Sequence, residues 1–258
     1  CQGCALYAKK RVAGQGARGH VDIMLVSESP SSWSVNNQEV FYGRGGRIIR
    51  TVWKELRDLD DRTGGRLRMR HLKKWETYAV QCQVEEGRDQ NATATAATVK
   101  ACSHYLHAAI LNMQPKVILA FGATALRALG AKTERFMDVR GRLIDVVIQG
   151  QTYKVMSTFS TKHLVAKTGL YNLFYGDYAR AVRVAAGVDE AEANATLEDI
   201  TKDYFIPKTV AEVKAVCDTI IEHVVEGAKT ASQCAVAVDT ETNTVNPHRK
   251  DAKILCMS

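Results

Sequence analysis

Four cysteines carry the densest chemical signal in this 258-residue sequence. Cys1 and Cys4 form a C-x2-C knuckle, Cys82 follows the strand-like run 77–81, and Cys102 ends the helix-like run 98–102. No export-signal pattern is visible, so the thiols are expected in a reducing compartment, where clustered cysteines point to a metal centre more than to disulfides. A pair from a flexible end and two singles from distant elements can close four thiolates around one site. Zinc and an iron–sulfur cluster both accept four cysteines, and the spacing does not choose between them. A second constellation is Asp239 and Glu241, at the end of the apolar run 235–238. Side chains two apart on a strand point to one side, so this pair could share a divalent metal. Two-metal phosphodiester cleavage needs such carboxylates, although an isolated D-x-E is commonly a solvated strand end.

The elements that must position these groups alternate. Residues 21–26 (VDIMLV) read as a buried strand, and 46–59 as an amphipathic helix with Ile48, Ile49, Val52, Trp53 and Leu56 inward. A second strand ends at Cys82, and an Ala-rich helix covers about 94–113. Pro115 breaks it before the apolar strand 116–121, and a helix starts at Gly122. Two β-rich runs, 142–148 and 153–159, flank Gly150, and a helix over 171–186 closes the unit. Such alternation implies an α/β fold, a mainly parallel sheet with helices on both faces. Residues 187–202 are acidic and poor in large apolar side chains, the composition of a linker. An amphipathic helix begins near Val210, and Cys217, Cys234 and Cys256 read as core residues.

Charge divides the chain the same way. Residues 1–186 hold 28 Lys and Arg against 15 Asp and Glu, a balance of +13, whereas 187–258 hold 7 against 13, a balance of −6. A basic domain attracts polyanions, and nucleic acid is the leading candidate, DNA once the domain's basic run is added. The segment 62–75 concentrates this charge: Arg62, Arg66, Arg68, Arg70, Lys73 and Lys74, with no acid among them. Each phosphate such a run neutralises releases counterions and makes binding salt-dependent. No apolar run approaches bilayer length, so a soluble, cytoplasmic protein is expected. The sequence opens on Cys1 and stops in a strand-like run, as a piece of a longer polypeptide would.

The first part resembles the iron–sulfur (family 4) uracil-DNA glycosylases over nearly its whole length. The four cysteines fall in that family's order. Ser27-Glu28-Ser29-Pro30 is similar to the loop that activates water, and Phe41-Tyr42-Gly43-Arg44-Gly45-Gly46 to the segment whose phenylalanine stacks on a flipped base. The strand 115–122 and Arg140-Gly141 match as well. The resemblance implies a three-layer α/β/α sandwich, a 4Fe-4S cluster on Cys1, Cys4, Cys82 and Cys102, and Glu28 positioning water. Departures are specific. The motif G-E-A-P-G is here Ser27-Glu28-Ser29-Pro30-Ser31; the base-reading asparagine falls on Tyr78; and the H-P-S histidine falls on Ser160, with His163 three residues along as its only nearby substitute. Losing aimed hydrogen bonds to the departing uracil anion removes what is usually the largest catalytic contribution.

About the last fifty-five residues resemble the first exonuclease motif of family A DNA polymerases: a helix, a strand, Asp239-Thr240-Glu241-Thr242, a short loop and a second strand. This implies a truncated ribonuclease H-like 3'-5' exonuclease domain whose Asp239 and Glu241 hold Mg2+ or Mn2+ in the full-length protein. The implied organisation is 1–186 glycosylase-like, 187–202 linker and 203–258 exonuclease start, with the rest of the polymerase polypeptide as partner. Such a fusion suggests a bacteriophage replication protein, placed in the host cytoplasm. Two functions are in contention: a DNA-binding module that has lost excision, and an active uracil or modified-base glycosylase.

Overall fold

The computed structural model describes residues 3–84, 93–132 and 135–188, and further on 209–212, 214, 215, 218, 240–242 and 254–257. Cys1, the segments 85–92 and 189–208, Cys217, Cys234 and Asp239 lie outside the described residues. The chain divides into two compact units, Cys1–Thr196 and Leu197–Ser258.

The first unit is built on a six-stranded sheet ordered β1-β3-β2-β4-β6-β5. Its centre is β2 (Ile23–Ser27) and β4 (Val117–Phe121), paired in parallel and flanked in parallel by β3 (Lys74–Tyr78) and β6 (Gln151–Thr158). Two antiparallel edge strands, β1 (Gln15–Gly16) and β5 (Leu143–Ile148), make the sheet mixed. The β5–β6 hairpin turns at Gln149 and Gly150, both at positive φ.

Strands β2 and β4 are buried on both faces, which is why they read as unbroken apolar runs. Ile23, Leu25, Val117, Leu119 and Phe121 face one layer with α2 (Arg44–Arg62) and α7 (Tyr171–Ala185). Met24, Val26, Ile118 and Ala120 face the other, with α3 (Ala96–Met113) and α4 (Ala123–Ala128). The alternation is the two-residue period of the pleat. On α2, Ile49, Val52 and Leu56 are fully inward, while Ile48 and Trp53 are half-buried at the margin of the stripe. Three shorter helices, α1 (Ser32–Asn37), α5 (Phe136–Val139) and α6 (Thr161–Ala166), trim the ends of the sheet.

One expected element is shorter than its sequence suggested. The second strand ends at Tyr78 rather than Cys82, because the backbone of Ala79 and Val80 donates to Ser27 and Glu28 in the loop beyond β2, and Cys82 pairs only with Arg11. In the second unit, Thr209 and Glu212 cap each other's backbone N–H reciprocally, opening a helix at Val210. Strands β7 (Thr240–Thr242) and β8 (Ile254–Met257) pair antiparallel, with Glu241 opposite Cys256. Among the described residues no helix is long and apolar enough to cross a membrane.

The tightest joint in the first unit is where α2 meets the loop before it. A Cβ placed on Gly46 would lie 1.2 Å from the Phe41 carbonyl oxygen, so only glycine lets the helix approach that backbone. Gly46→Ala is therefore expected to destabilise the unit by about 3 kcal/mol, the upper end of overpacking penalties. Gly176→Ala, in α7 with nothing within 4 Å of the added carbon, should instead stabilise it by about 0.5–1 kcal/mol. Urea-denaturation midpoints of the two variants check both signs.

Candidate functional site

Because β2, β3, β4 and β6 run in parallel, their carboxyl ends share one edge of the sheet. The chain leaves β2 towards β3 on one side and β4 towards β6 on the other, so the strand order reverses between β2 and β4. Ligands of open α/β sheets bind at such a reversal. Glu28 follows β2, Tyr78 ends β3, Gly122 follows β4 and Ser160 lies two residues beyond β6. The topology thus gathers the predicted chemical residues at one edge.

Phe41 enters this edge from the loop between α1 and α2. It is buried and sits at φ 55°, a left-handed conformation unusual for a bulky residue. Both of its backbone groups are captured: the N–H donates to the Tyr78 hydroxyl at 2.7 Å, and the carbonyl accepts from Arg50 Nη1 at 2.5 Å. The Phe41 ring meets Tyr78 edge-on at 5.3 Å between centroids and Phe121 at 6.0 Å. Ser34 completes the tie, with its Oγ 3.0 Å from the Tyr78 hydroxyl and accepting from Tyr42 N at 3.0 Å. Burial pushes the Tyr78 phenol up against the opposing pull of its Ser34 and Phe41 hydrogen bonds, so it remains a neutral hydroxyl. The Phe41 ring is thus packed edge-to-face with both Tyr78 and Phe121 and buried.

Glu28 is buried, and its Oε1 accepts from Ala94 N at 2.6 Å, which anchors the chain just ahead of α3. The neighbouring Ser29 hydroxyl is buried with no hydrogen-bond partner. Ser160 is the N-cap of α6, its Oγ accepting from His163 N at 3.3 Å. The His163 ring is exposed and stacks on Phe159, 5.7 Å between centroids. Beneath it a buried network holds the Arg140-Gly141 turn. Asp177 accepts from Arg140 at 2.5 Å and from Thr158 at 2.8 Å, and Arg180 donates to the Gly141 carbonyl at 2.7 Å. Burial raises the Asp177 carboxyl even though both donors favour its charge.

Cys4, Cys82 and Cys102 line one cavity of about 70 Å³ together with Leu6, Val80 and Arg11. Backbone N–H groups aim at two of the sulfurs: Leu6 N donates to Cys4 Sγ at 3.4 Å and Gln81 N to Cys102 Sγ at 3.3 Å. Burial, then the neighbouring thiols, push Cys82 up, and burial raises Cys102. Among the described residues no three His, Cys, Asp or Glu side chains stand close enough to hold a single ion. A cluster distributes its ligands over separate irons and so spaces them more widely than one ion does. The thiol donors and the converging N–H groups fit such a group, in a lining that mixes Leu6, Val80 and Ala101 with the cations Lys9 and Arg11.

The basic segment differs from its appearance in sequence. Asp60, buried at the end of α2, accepts from Leu67 N at 2.8 Å and Met69 N at 2.9 Å and so folds the loop around its carboxylate. Arg70 is held bidentately by Asp61, at 2.8 and 2.7 Å. Lys74 is paired with Glu76 at 2.6 Å and lies over the Trp53 ring. Acids flanking the run thus neutralise two of its cations, while Arg62, Arg66, Arg68 and Lys73 remain exposed. Of the acidic pair, Glu241 lies in β7 and Asp239 falls outside the described residues. Two exposed aromatic residues had no strong sequence signal: Trp33, in α1 against Gly43, and Tyr42, next to Phe41 in the chain. A tryptophan within the polar run 31–37 was the available hint, since no apolar period required it inside.

The mixed α/β sheet with helices on both faces is consistent with a uracil-DNA-glycosylase-like domain. Residues 13–182 match the uracil DNA glycosylase superfamily, and the chain belongs to that superfamily. It is 30% identical over 169 residues to a type-4 uracil-DNA glycosylase of Thermotoga maritima, covering 64% of this chain and 78% of the relative. It is also 26% identical over 185 residues to a type-4 uracil-DNA glycosylase of Pyrobaculum aerophilum, covering 69% of this chain and 86% of the relative.

The pairing of Arg70 and Lys74 has a measurable consequence for DNA affinity. Charge reversal of Arg66, Arg68 and Lys73 together should flatten the salt dependence by roughly 3 in log–log slope, about one for each lost phosphate contact. Arg70→Glu alone should change it by less, because Asp61 already occupies that guanidinium. Titrations of a labelled oligonucleotide at several salt concentrations measure both slopes.

Proposed function

We propose that residues 1–186 are a DNA-binding, glycosylase-like module with little or no uracil excision, joined by the linker 187–202 to the start of a family A polymerase exonuclease domain at 203–258. The observation that carries this reading is Tyr78, edge-on against Phe41 with its hydroxyl on the Phe41 N–H. A base flipped into this pocket would have to displace that ring and break that bond. Cleavage of the glycosidic bond also needs donors aimed at the uracil anion. Ser160 is engaged as a helix cap, and His163 is turned onto Phe159 at the surface. What the edge retains is a means of holding DNA: a basic domain, an ordered loop and aromatic side chains.

An excising enzyme is the second reading, and Glu28 and Ser29 favour it. A buried carboxylate next to a buried, unpartnered hydroxyl is the chemistry that holds a water. In that reading Glu28 would orient water towards the sugar while Phe41 stacked on the base after Tyr78 had moved aside.

Cys1, Cys4, Cys82 and Cys102 would hold the 4Fe-4S cluster, joining the N-terminal knuckle, the segment after β3 and α3. Such a cluster supplies a rigid cross-link and a redox-sensitive centre when bound. Asp239 and Glu241 would bind Mg2+ or Mn2+ in the longer polypeptide, a bacteriophage replication protein whose partners are DNA and the remaining polymerase domains.

Excision is tested on a uracil-containing oligonucleotide followed by alkali. The parent chain is expected to give no strand scission above background. Scission that Glu28→Gln abolishes would establish the enzyme reading and make His163 the next residue to replace. For the cluster, anaerobically purified protein should be brown, with a broad visible absorption bleached by dithionite and about four irons per chain. Cys82→Ala should remove the colour, and Cys217→Ala should retain it. Colourless protein with one zinc per chain would overturn the assignment.

A further inference from the structure

We propose that Trp33 and Tyr42 form a stacking platform for unpaired bases of single-stranded DNA, separate from the pocket that Tyr78 fills. The inference rests on the DNA-binding reading and names the state of DNA that this surface takes. Trp33 is 62% exposed and Tyr42 37%, while the cluster of Phe41, Tyr78 and Phe121 is buried.

Both exposed rings project from backbone that is fixed. Tyr42 N–H donates to Ser34 Oγ at 3.0 Å, and its carbonyl accepts from Ser31 Oγ and Ser34 Oγ, each at 3.3 Å. Trp33 lies against Gly43, where an added Cβ would stand 3.2 Å from the Trp33 Cβ, and its carbonyl accepts from Asn37 Nδ2 at 2.8 Å. Gly43, at φ 94°, thus leaves room for the Trp33 side chain. An aromatic side chain carried on fixed backbone loses little entropy when a base stacks on it.

Charge identifies the occupant. Arg44 and Arg47 follow Tyr42 directly on α2, both exposed, and the first turn of that helix contains no acid. Aromatic faces flanked by guanidinium groups suit a base on the ring and its phosphates on the cations. Stacking needs a free base face, which a duplex covers with neighbouring pairs. The platform therefore favours a single strand and tolerates any base, because every base has a π-face.

The test uses the whole 258-residue chain with a labelled oligothymidylate of about 12 nucleotides, within the usual single-strand site sizes, and a duplex of equal length. Trp33→Ala should weaken single-strand binding roughly tenfold with an unchanged salt slope, since stacking releases no counterions. Trp33→Phe should recover most of the loss, and duplex affinity should change less. The Arg44→Glu/Arg47→Glu pair should flatten the slope. Trp33 is exposed, so its removal leaves the core intact. If Trp33→Ala and Tyr42→Ala both bind single strands like the parent, the platform is refuted while DNA binding stands. If the parent binds no DNA at all, the underlying reading fails and the platform with it.

Discussion

The Phe41 backbone is the constraint on which the rest of the site depends. A phenylalanine at positive φ costs of order 1–3 kcal/mol and persists only where its surroundings over-determine it. Here they do so three times: the Tyr78 hydroxyl takes its N–H, Arg50 takes its carbonyl, and Gly46 lets α2 press against that same carbonyl. The loop is thereby locked between the end of β3 and the start of α2. Every neighbouring feature, from the Ser34 network to the exposed Tyr42, inherits its position from this lock.

That lock ties the end of β3 to the loop ahead of α2. The tyrosine at position 78 does more than occupy space. Its hydroxyl satisfies a buried N–H that would otherwise be an orphan, and an unsatisfied buried donor costs about 1–3 kcal/mol. Its ring fills the slot between Phe41 and the sheet. Ser34 completes the tie, its hydroxyl bridging Tyr78 and Tyr42. Beyond the end of β6, Ser160 caps α6. Both residues hold loops still.

Much of the scaffold was legible in the residues, and the reason is burial. Strands β2 and β4 are covered on both faces, so their runs had to be continuously apolar, and the long helices showed their stripes. The gathering of Glu28, Tyr78 and Ser160 at one edge also followed, since parallel strands put their ends together. What could not be read were relations between distant side chains. Nothing in the local sequence shows that Arg70 spends its charge on Asp61, or that Asp60 is the buried post around which the basic loop folds. The end of β3 was misplaced for a similar reason. Residues 79–82 are strand-like in type, but their backbone partners come from the Glu28 loop and from Arg11. Trp33 belongs to no motif, so its sequence setting hints at exposure but not at a role, and the fold shows it exposed.

The charge order along α2 gives the last physical clue to what the edge is for. A helix is stabilised by acids in its first turn and bases in its last, each worth about 0.3–1 kcal/mol at the surface. In α2, Glu55, Asp58, Asp60 and Asp61 share the carboxy-terminal half with Lys54, Arg57 and Arg62, whereas the amino-terminal half carries only the charges of Arg44, Arg47 and Arg50, with no acid in its first turn. Those cations add to the positive end of the dipole, so the arrangement costs the helix stability and concentrates positive potential beside Phe41 and Tyr42. The acids at the other end are employed locally: Asp60 folds the basic loop, Asp61 holds Arg70, and Glu55 accepts from Tyr171, whose phenol burial and that carboxylate push up to about 12. The cationic tip is therefore the one part of α2 whose charge works against the helix dipole without a local acid to offset it.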